Sequence, residues 1–282
     1  MYKERQLMQD LRIAVVQMTS RVGETEHNLR TIERFVHQAI AANVDILCFP
    51  ELCISGYNAG DNEDPAPESL DGDSVQKLAA LSSATGLTFL AGLLERDIDG
   101  IIYNTQVVFG PDGASGHYRK THVPTSEIGT WCQGDELPVF THAKARFGIE
   151  ICYDSHFPEV STLLAQRGAE ILFLPHASGG ETAAEKKERW LRYMPARAYD
   201  NTVYMAVCNH VGDNGAGRIF TGVSFICDAR GKIIAEAQSG DEEEMVIADL
   251  RAADLYEARR IPETFFRHFR RAETYARWTA EP

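Results

Sequence analysis

The chain has 282 residues, of which 44% are hydrophobic and 24% are charged, which is ordinary for a globular protein with a sizeable core. Its 28 Lys and Arg against 41 Asp and Glu give a formal charge of −13 at pH 7. Because an acidic surface repels nucleic-acid phosphates and anionic lipids, we expect neither nucleic acid nor a membrane as a partner.

Residues 1–10 are polar and carry both signs of charge, unlike a secretory signal, and no apolar run reaches the roughly 18 residues that span a bilayer. Six cysteines stand at positions 48, 53, 132, 152, 208 and 227, several within apolar runs. Buried thiols in a reducing compartment explain them better than disulfides. The sequence contains no CxxC pair and no HExxH motif, so a metal site is not indicated. We therefore expect a cytoplasmic protein.

The first half of the chain alternates predicted strands and helices. A buried strand at 11–18 precedes a helix at 26–42, whose apolar face is formed by Leu29, Ile32, Val36, Ala39 and Ile40. Thr25 is the expected N-cap of that helix. A strand at 44–49, a helix at 73–84 and a strand at 87–93 follow. Strands at 101–109 and 114–119 then flank a Gly-Pro-Asp-Gly turn at 110–113, which predicts a hairpin.

The second half repeats this alternation. A strand at 145–151 leads to Cys152, and a helix at 158–166 begins at Pro158. A strand at 170–174 is followed by a long helical stretch at 181–201, which we expect to be kinked at Pro195. Four further strands are predicted at 203–208, 222–227, 232–235 and 244–250. The alternation indicates an α/β protein with helices outside the sheets.

Three residues of different chemistry each follow a predicted strand: Glu51, Lys120 and Cys152. Taken singly, they are typical of a loop carboxylate, a solvated lysine and a buried thiol. Taken together, they are a base, a cation and a nucleophile, and reactive groups gather at the carboxyl ends of strands in α/β sheets.

The sequence around these residues resembles the nitrilase superfamily of carbon–nitrogen hydrolases, in the right order from about residue 11 to residue 250. The matching segments are Pro50-Glu51-Leu52 with Gly56-Tyr57, then Tyr118-Arg119-Lys120-Thr121-His122, Ile151-Cys152-Tyr153-Asp154 and Ala196-Arg197-Ala198-Tyr199-Asp200-Asn201. The resemblance implies a four-layer α-β-β-α sandwich, with one carbon–nitrogen hydrolase domain over 1–282 that includes a charged, aromatic tail at 251–282. It also implies no metal or organic cofactor, and a homodimer or larger homo-oligomer.

The resemblance also implies roles for the site residues. Glu51 would be the general base, Cys152 the nucleophile that forms a thioester, and Lys120 with the backbone N–H of Tyr153 the oxyanion donors. A second glutamate of the family matches Glu127 by its spacing to Trp131 and Gly134, although Gln133 stands where proline is common. Tyr57, Tyr153 and His176 are the candidate substrate-binding residues.

Tyr153-Asp154 after the cysteine resembles the amidase and N-carbamoyl hydrolase branches more than true nitrilases. The expected activity is hydrolysis of a small linear amide or N-carbamoyl compound with release of ammonia. Three alternatives stay open: nitrile hydrolysis, a papain-like site with His156 as base, and a binding protein that kept the fold. One of Arg189, Arg192 and Arg197 is a candidate to bind a substrate carboxylate.

Overall fold

The computed structural model describes residues 8–59 and 65–279, which form two six-stranded sheets and a separate hairpin. The strands are β1 (Leu11–Gln17), β2 (Ile46–Cys48), β3 (Thr88–Arg96), β4 (Ile102–Gly110), β5 (Gly113–Arg119), β6 (Phe140–Thr141), β7 (Arg146–Ile149), β8 (Ile171–Pro175), β9 (Tyr204–Cys208), β10 (Val211–Asp213), β11 (Ile219–Thr221), β12 (Phe225–Cys227), β13 (Ile233–Glu236) and β14 (Glu244–Leu250). The helices are α1 (Thr25–Ala41), α2 (Asp73–Thr85), α3 (Pro158–Gln166), α4 (Ala183–Leu191), α5 (Met194–Asn201), α6 (Ala252–Arg260) and α7 (Ala272–Thr279). Short 3-10 helices cover Cys152–His156, Pro262–Thr264 and Phe266–Phe269.

The two sheets have matching topologies. The first has the strand order β14-β1-β2-β3-β4-β5 and the second the order β13-β12-β9-β8-β7-β6. In the first, β1, β2 and β3 are parallel, as are β7, β8 and β9 in the second. Antiparallel strands flank each parallel centre. The carboxyl ends of the central strands therefore lie at one edge of each sheet, where their loops can meet.

Three apolar layers hold the sandwich together. The inner faces of both sheets pack on each other, with Ile13 and Cys48 of the first sheet in one cluster with Phe147 and Cys208 of the second. The outer face of the first sheet packs on α1 and α2, and that of the second packs on α3, α4 and α5. The expected four-layer α-β-β-α sandwich is confirmed.

Several local predictions need correction. The helical stretch at 181–201 is two helices rather than one kinked helix, because α4 ends at Leu191 and Pro195 lies in the first turn of α5. A missing N–H costs no hydrogen bond in a first turn. Thr25 is the first residue of α1 and not its N-cap, and the strand predicted at 222–227 begins only at Phe225. That strand starts late because Val223 has a left-handed φ of 75°.

The carboxyl-terminal segment is partly core and partly exposed. Leu255 of α6 is fully buried in the apolar cluster between the two sheets, and Arg259 donates to the carbonyl oxygen of Thr202. Beyond α6, Phe266 and Phe269 remain exposed. No helix in the described parts of the chain is long and apolar enough to cross a membrane.

Candidate active site

The loops after β2, β5 and β7 bring Glu51, Lys120 and Cys152 together, although they lie up to 101 positions apart in the sequence. Glu51 and Lys120 are completely buried, and the Lys120 Nζ donates to Glu51 Oε1 at 2.8 Å. Cys152 is half-buried. It lies close enough that Lys120 and Glu51 both influence its pKa. The three predicted residues therefore form one cluster.

The Lys120 ammonium is bound on two sides by carboxylates. Besides Glu51, it donates to both oxygens of Glu127, at 2.8 and 3.0 Å. Burial by itself would lower the pKa of Lys120, but the charges of Glu51, Cys152 and Glu127 raise it above its ordinary value. Lys120 is therefore protonated at neutral pH and can stabilise an oxyanion through its charge.

The backbone of Lys120 is held as firmly as its side chain. Its N–H donates to the carbonyl oxygen of Asn104 at 2.9 Å, and its own carbonyl accepts from Gly134 at 2.8 Å. A Cβ at Gly134 would come within 2.5 Å of the carbonyl oxygen of Arg119. Only glycine permits this approach, which gives a physical reason for the spacing that connects Glu127 to Gly134.

Glu51 has one bound oxygen and one unbound oxygen. Its Oε1 accepts from Lys120 and from Asn104 Nδ2 at 2.7 Å. Its Oε2 is buried and has no hydrogen-bond partner among the described residues. His210 Nε2 lies 2.5 Å from the Glu51 carbonyl oxygen and fixes the main chain there. A carboxylate held by one oxygen, with the other available, is suited to accept and return a proton.

Cys152 lies in a strained turn at the start of a 3-10 helix, with a left-handed φ of 48°. The strand that we predicted to run to Ile151 ends at Ile149, although the Glu150 N–H still donates to the carbonyl oxygen of Phe173. Burial and the charge of Glu51 raise the pKa of the Cys152 thiol well above its usual range, while Lys120 and the backbone N–H of Ala177 lower it. At neutral pH the resting group is therefore a thiol with a base beside it.

Glu127 and Tyr57 complete the inner part of the site. Glu127 is buried, and the Tyr57 hydroxyl donates to its Oε1 at 2.7 Å. Burial raises the pKa of Glu127 to about 6, against the opposing effect of Lys120. The Tyr57 ring packs edge-on against Trp131 and Phe220, with centroids 5.7 and 6.4 Å away. Tyr57 is thereby placed in an aromatic wall beside the charged cluster.

His176 lies beside the site but is not placed as a charged group. Its Nδ1 is 2.8 Å from the carbonyl oxygen of Leu174, and its ring lies 4.5 Å from that of Trp190. Burial lowers the pKa of His176 to about 3, so the ring is neutral. Its Nε2 is buried without a partner among the residues described. Nε2 is therefore the atom available to a ligand.

Tyr153 and His156 lie on the 3-10 helix that begins at Cys152. Tyr153 is 37% exposed, and its ring contacts those of His156 and Phe157. The His156 ring stacks on Tyr193, with its Nε2 3.4 Å from the Tyr193 hydroxyl. These contacts give His156 an aromatic partner, which does not favour the papain-like alternative.

The three arginines differ in what they bind. Arg189 pairs with Glu181, and Arg192 forms an exposed pair with Glu188 at 2.7 Å. Arg197 donates to the carbonyl oxygen of Ser155 at 3.2 Å and so supports the 3-10 helix. None of the three is placed by these contacts as a carboxylate site.

Asp154 is a site residue to which the sequence analysis assigned no role. Its carboxylate accepts from the Tyr118 hydroxyl at 2.7 Å, from Thr121 Oγ1 at 2.9 Å, from the His122 N–H at 2.8 Å and from the Ile151 N–H at 2.9 Å. It therefore ties the loop that carries Lys120 to the turn that carries Cys152. Asn104 was also missed, although the three polar residues Asn104-Thr105-Gln106 inside the predicted strand at 101–109 are a usable signal.

Comparison with known proteins agrees with this arrangement. The carbon-nitrogen hydrolase family model matches residues 12–260. An (R)-stereoselective amidase of Pseudomonas sp is 31% identical over 251 residues, which cover 89% of this chain and 88% of that protein. The omega-amidase of Homo sapiens is 31% identical over 280 residues, 95% of this chain and 98% of that protein.

Solved structures show the same fold. Nit3 of Saccharomyces cerevisiae, a member of branch 10 of the nitrilase superfamily, aligns with a TM-score of 0.78 and 26% identity over 91% of this chain and 96% of its own. A variant amidase from Nesterenkonia sp. AN1 aligns with a TM-score of 0.78 and 24% identity over 97% and 98%. That structure shows the acetamide moiety of fluoroacetamide covalently added at its active-site cysteine. The present chain belongs to the nitrilase superfamily and is a carbon–nitrogen hydrolase similar to amidases.

Proposed function

We propose that the chain hydrolyses a small linear amide or N-carbamoyl compound through a thioester on Cys152. The observation that carries this proposal is the buried ammonium of Lys120, held between the carboxylates of Glu51 and Glu127 beside the Cys152 thiol. Burying three ionisable groups costs free energy even when they are paired, and such clusters are typical of functional sites. Amidases and a nitrilase are equally similar to this chain, at 31% identity, so the preference for amides over nitriles rests on Tyr153-Asp154 after the cysteine.

Acylation would begin with transfer of the Cys152 proton to Glu51, whose Oε2 is the available oxygen. The sulfur then attacks the carbonyl carbon, and the electron pair of the C=O bond moves to oxygen. Lys120 and the backbone N–H of Tyr153 stabilise that oxyanion. As the tetrahedral species collapses, the C–N bond breaks and Glu51 donates its proton to the nitrogen. Ammonia leaves, and the acyl group stays on sulfur.

Deacylation reverses the role of Glu51. The carboxylate takes a proton from water, whose oxygen attacks the thioester carbon. The C–S bond breaks, the acid product departs, and the proton returns to sulfur. In both steps Glu127 would act on Lys120 and not on the substrate's carbonyl carbon, because both its oxygens bind the ammonium. Tyr57, Tyr153 and His176 are the proposed substrate contacts.

The test is release of ammonia from a panel of small amides, omega-amides, N-carbamoyl amino acids and nitriles. Cys152→Ala should lower kcat by more than about a thousandfold while leaving the fold intact, because a covalent step is lost. The matched control is Cys132→Ala, since Cys132 is the exposed cysteine among the described residues. Activity of the Cys152→Ala protein close to the parent value would refute the mechanism.

The same panel separates the alternatives. Turnover of nitriles but not amides would favour nitrile hydrolysis by the same cysteine. Saturable binding of an amide without turnover would indicate a binding protein. In addition, fluoroacetamide treatment followed by peptide mass spectrometry should place a covalent adduct on Cys152 in a Cys132→Ala background.

A further inference from the structure

His210 is a buried histidine that joins the second sheet to the loop of Glu51 on the first sheet. It lies in the link between β9 and β10, and its Nε2 is 2.5 Å from the carbonyl oxygen of Glu51. A carbonyl oxygen can only accept, so Nε2 carries the hydrogen and donates it. No other donor to this carbonyl is present among the described residues. The main chain of Glu51 is therefore held from across the sandwich by one side chain.

The main chain that His210 holds is strained. Leu52, the residue after Glu51, has a left-handed φ of 51°, which is uncommon for a residue other than glycine. A Cβ at Gly92 of β3 would come within 2.6 Å of the Leu52 nitrogen, so the turn also lies unusually close to the neighbouring strand. Strained backbone persists only where the surrounding contacts enforce it. The hydrogen bond from His210 is such a contact.

The ring of His210 is itself fixed. It lies 5.1 Å from the ring of Phe220 on β11, and Phe220 packs edge-on against Tyr57. The N–H of Gly222 donates to the His210 carbonyl oxygen at 3.0 Å. Burial lowers the pKa of His210 below its ordinary value, so the ring is neutral at pH 7. His210 is thus a rigid, neutral donor.

The carboxylate of Glu51 is sensitive to where its main chain lies. Its Oε1 is bound by Lys120 and Asn104 at 2.8 and 2.7 Å. With Oε1 held in this way, a shift of the backbone would turn the carboxylate about Oε1 and displace Oε2. Oε2 is the oxygen that would transfer protons in the proposed mechanism. A displacement of about 1 Å in a reacting group can lower a rate about a hundredfold.

We propose that His210 is a positioning residue for Glu51, whose Nε2–H holds the strained turn at Glu51 and Leu52 so that Oε2 reaches both the Cys152 sulfur and the leaving nitrogen. The proposal rests on the proposed role of Glu51 as base and acid. It deepens that role, because it names the contact on which the two proton transfers depend.

The two proton transfers are needed by different substrates. Removal of the Cys152 proton precedes attack on any acyl substrate, whereas protonation of the leaving group is required only where ammonia departs. In a p-nitrophenyl ester the C–O bond breaks with its electron pair on oxygen, and the phenolate leaves without taking a proton. Misplacing Glu51 should therefore slow amides more than activated esters.

The experiment compares His210→Phe with the parent on the amide and the p-nitrophenyl ester of the same acid. Phe keeps a ring against Phe220 and removes the donor. The acylation step, measured by kcat/KM, should slow about a hundredfold for the amide and at least about tenfold less for the ester. Equal losses on the two substrates would overturn the inference, because a loss of folded protein lowers both alike.

His210→Gln is the conservative variant. Gln keeps a neutral N–H donor, so it should recover most of the amide activity and the parent's ratio of amide to ester turnover. A Gln variant no more active on the amide than the Phe variant would contradict the role of the hydrogen bond. The control is His37→Phe on α1, where the histidine side chain is 61% exposed, and it should match the parent on both substrates.

A measurement on the parent protein does not depend on the folding of a variant. Ring-nitrogen chemical shifts of protein labelled with 15N-histidine distinguish the two neutral tautomers. His210 should be an Nε2–H tautomer protected from solvent exchange, and His176 the opposite one, because its Nδ1 donates to the Leu174 carbonyl. Absence of a protected Nε2–H histidine would overturn the inference. If Cys152→Ala retained amide turnover while that signal was present, the proposed function would fail instead, so the two failures are distinguishable.

Discussion

Replacing Lys120 by Met tests the central electrostatic feature of the site. Met keeps most of the length and volume of the side chain and removes the ammonium, which makes one contact with Glu51 and two with Glu127, between 2.8 and 3.0 Å. Loss of a preorganised oxyanion donor typically lowers kcat by about a hundredfold to a thousandfold. Because this donor acts mainly in the transition state, KM should change less than kcat.

The same substitution should also lower stability. It leaves two buried carboxylates without their counterion, and breaking a buried ion pair from one side costs about 3–5 kcal/mol. For a protein of this size that corresponds to a fall in Tm of roughly 6–20 °C. Glu127→Gln added to Lys120→Met removes one of the two uncompensated charges, so the double variant should regain stability without regaining activity.

The stability deficit should depend on pH with a definite sign. The pKa of Glu127 is raised to about 6 because burial raises it more than Lys120 lowers it, so the Met variant should have a still higher Glu127 pKa. A carboxyl whose pKa is higher in the folded state than in the unfolded state binds its proton more tightly when folded. The cost therefore appears as the pH rises through about 6, and the Tm difference should be larger at pH 8 than at pH 5.

The assays are steady-state ammonia release, thermal unfolding at the two pH values, and the pH dependence of Cys152 alkylation in a Cys132→Ala background. Lys120 lowers the thiol pKa, so the alkylation profile should move to higher pH in the Met variant. A kcat within about tenfold of the parent, with an unchanged alkylation profile, would refute the assignment of Lys120 as oxyanion donor.

Two further perturbations address the surroundings of the site. Asp154→Asn removes a charged acceptor of buried donors, so it should lower the free energy of unfolding by about 2–3 kcal/mol and change kcat more than KM. The control is Asp249→Asn, at an exposed ion pair, which should lower that free energy by less than about 1 kcal/mol. Equal losses in the two variants would refute the bridging role of Asp154. Deleting the chain after Arg260 removes the exposed rings of Phe266 and Phe269 but keeps the core residues of α6, so the far-UV circular dichroism should lose only the contribution of α7 and the two short 3-10 helices. If those rings cover a second copy of the chain, light scattering should show a smaller particle, and an unchanged mass would contradict that role.

Local sequence patterns predicted most of the elements. Helix α3 has the predicted bounds at both ends, and most of the predicted strands appear with boundaries shifted by a few residues. The errors lie where a local signal has two meanings. Pro195 is compatible both with a kink inside a helix and with the first turn of a new one. Ile40 continues the apolar spacing of α1 and yet is 38% exposed, whereas Phe35, which we did not assign to the apolar face, is buried. Periodicity indicates a face but not its edges.

The sequence alone determined the alternation of strands and helices and the order of the segments that carry Glu51, Lys120 and Cys152, because turn residues and apolar periodicity act over a few neighbouring positions. Only the tertiary structure decided which ionisable groups share a buried site. Glu127 is bound by both oxygens to Lys120, Asp154 joins two loops more than 30 positions apart, and Lys186 is buried although its neighbour Lys187 is partly exposed. The neighbouring residues in the sequence do not show whether a lysine or carboxylate faces solvent or lies in a buried charge cluster. Its pairing depends on chain segments that meet only when both sheets have formed.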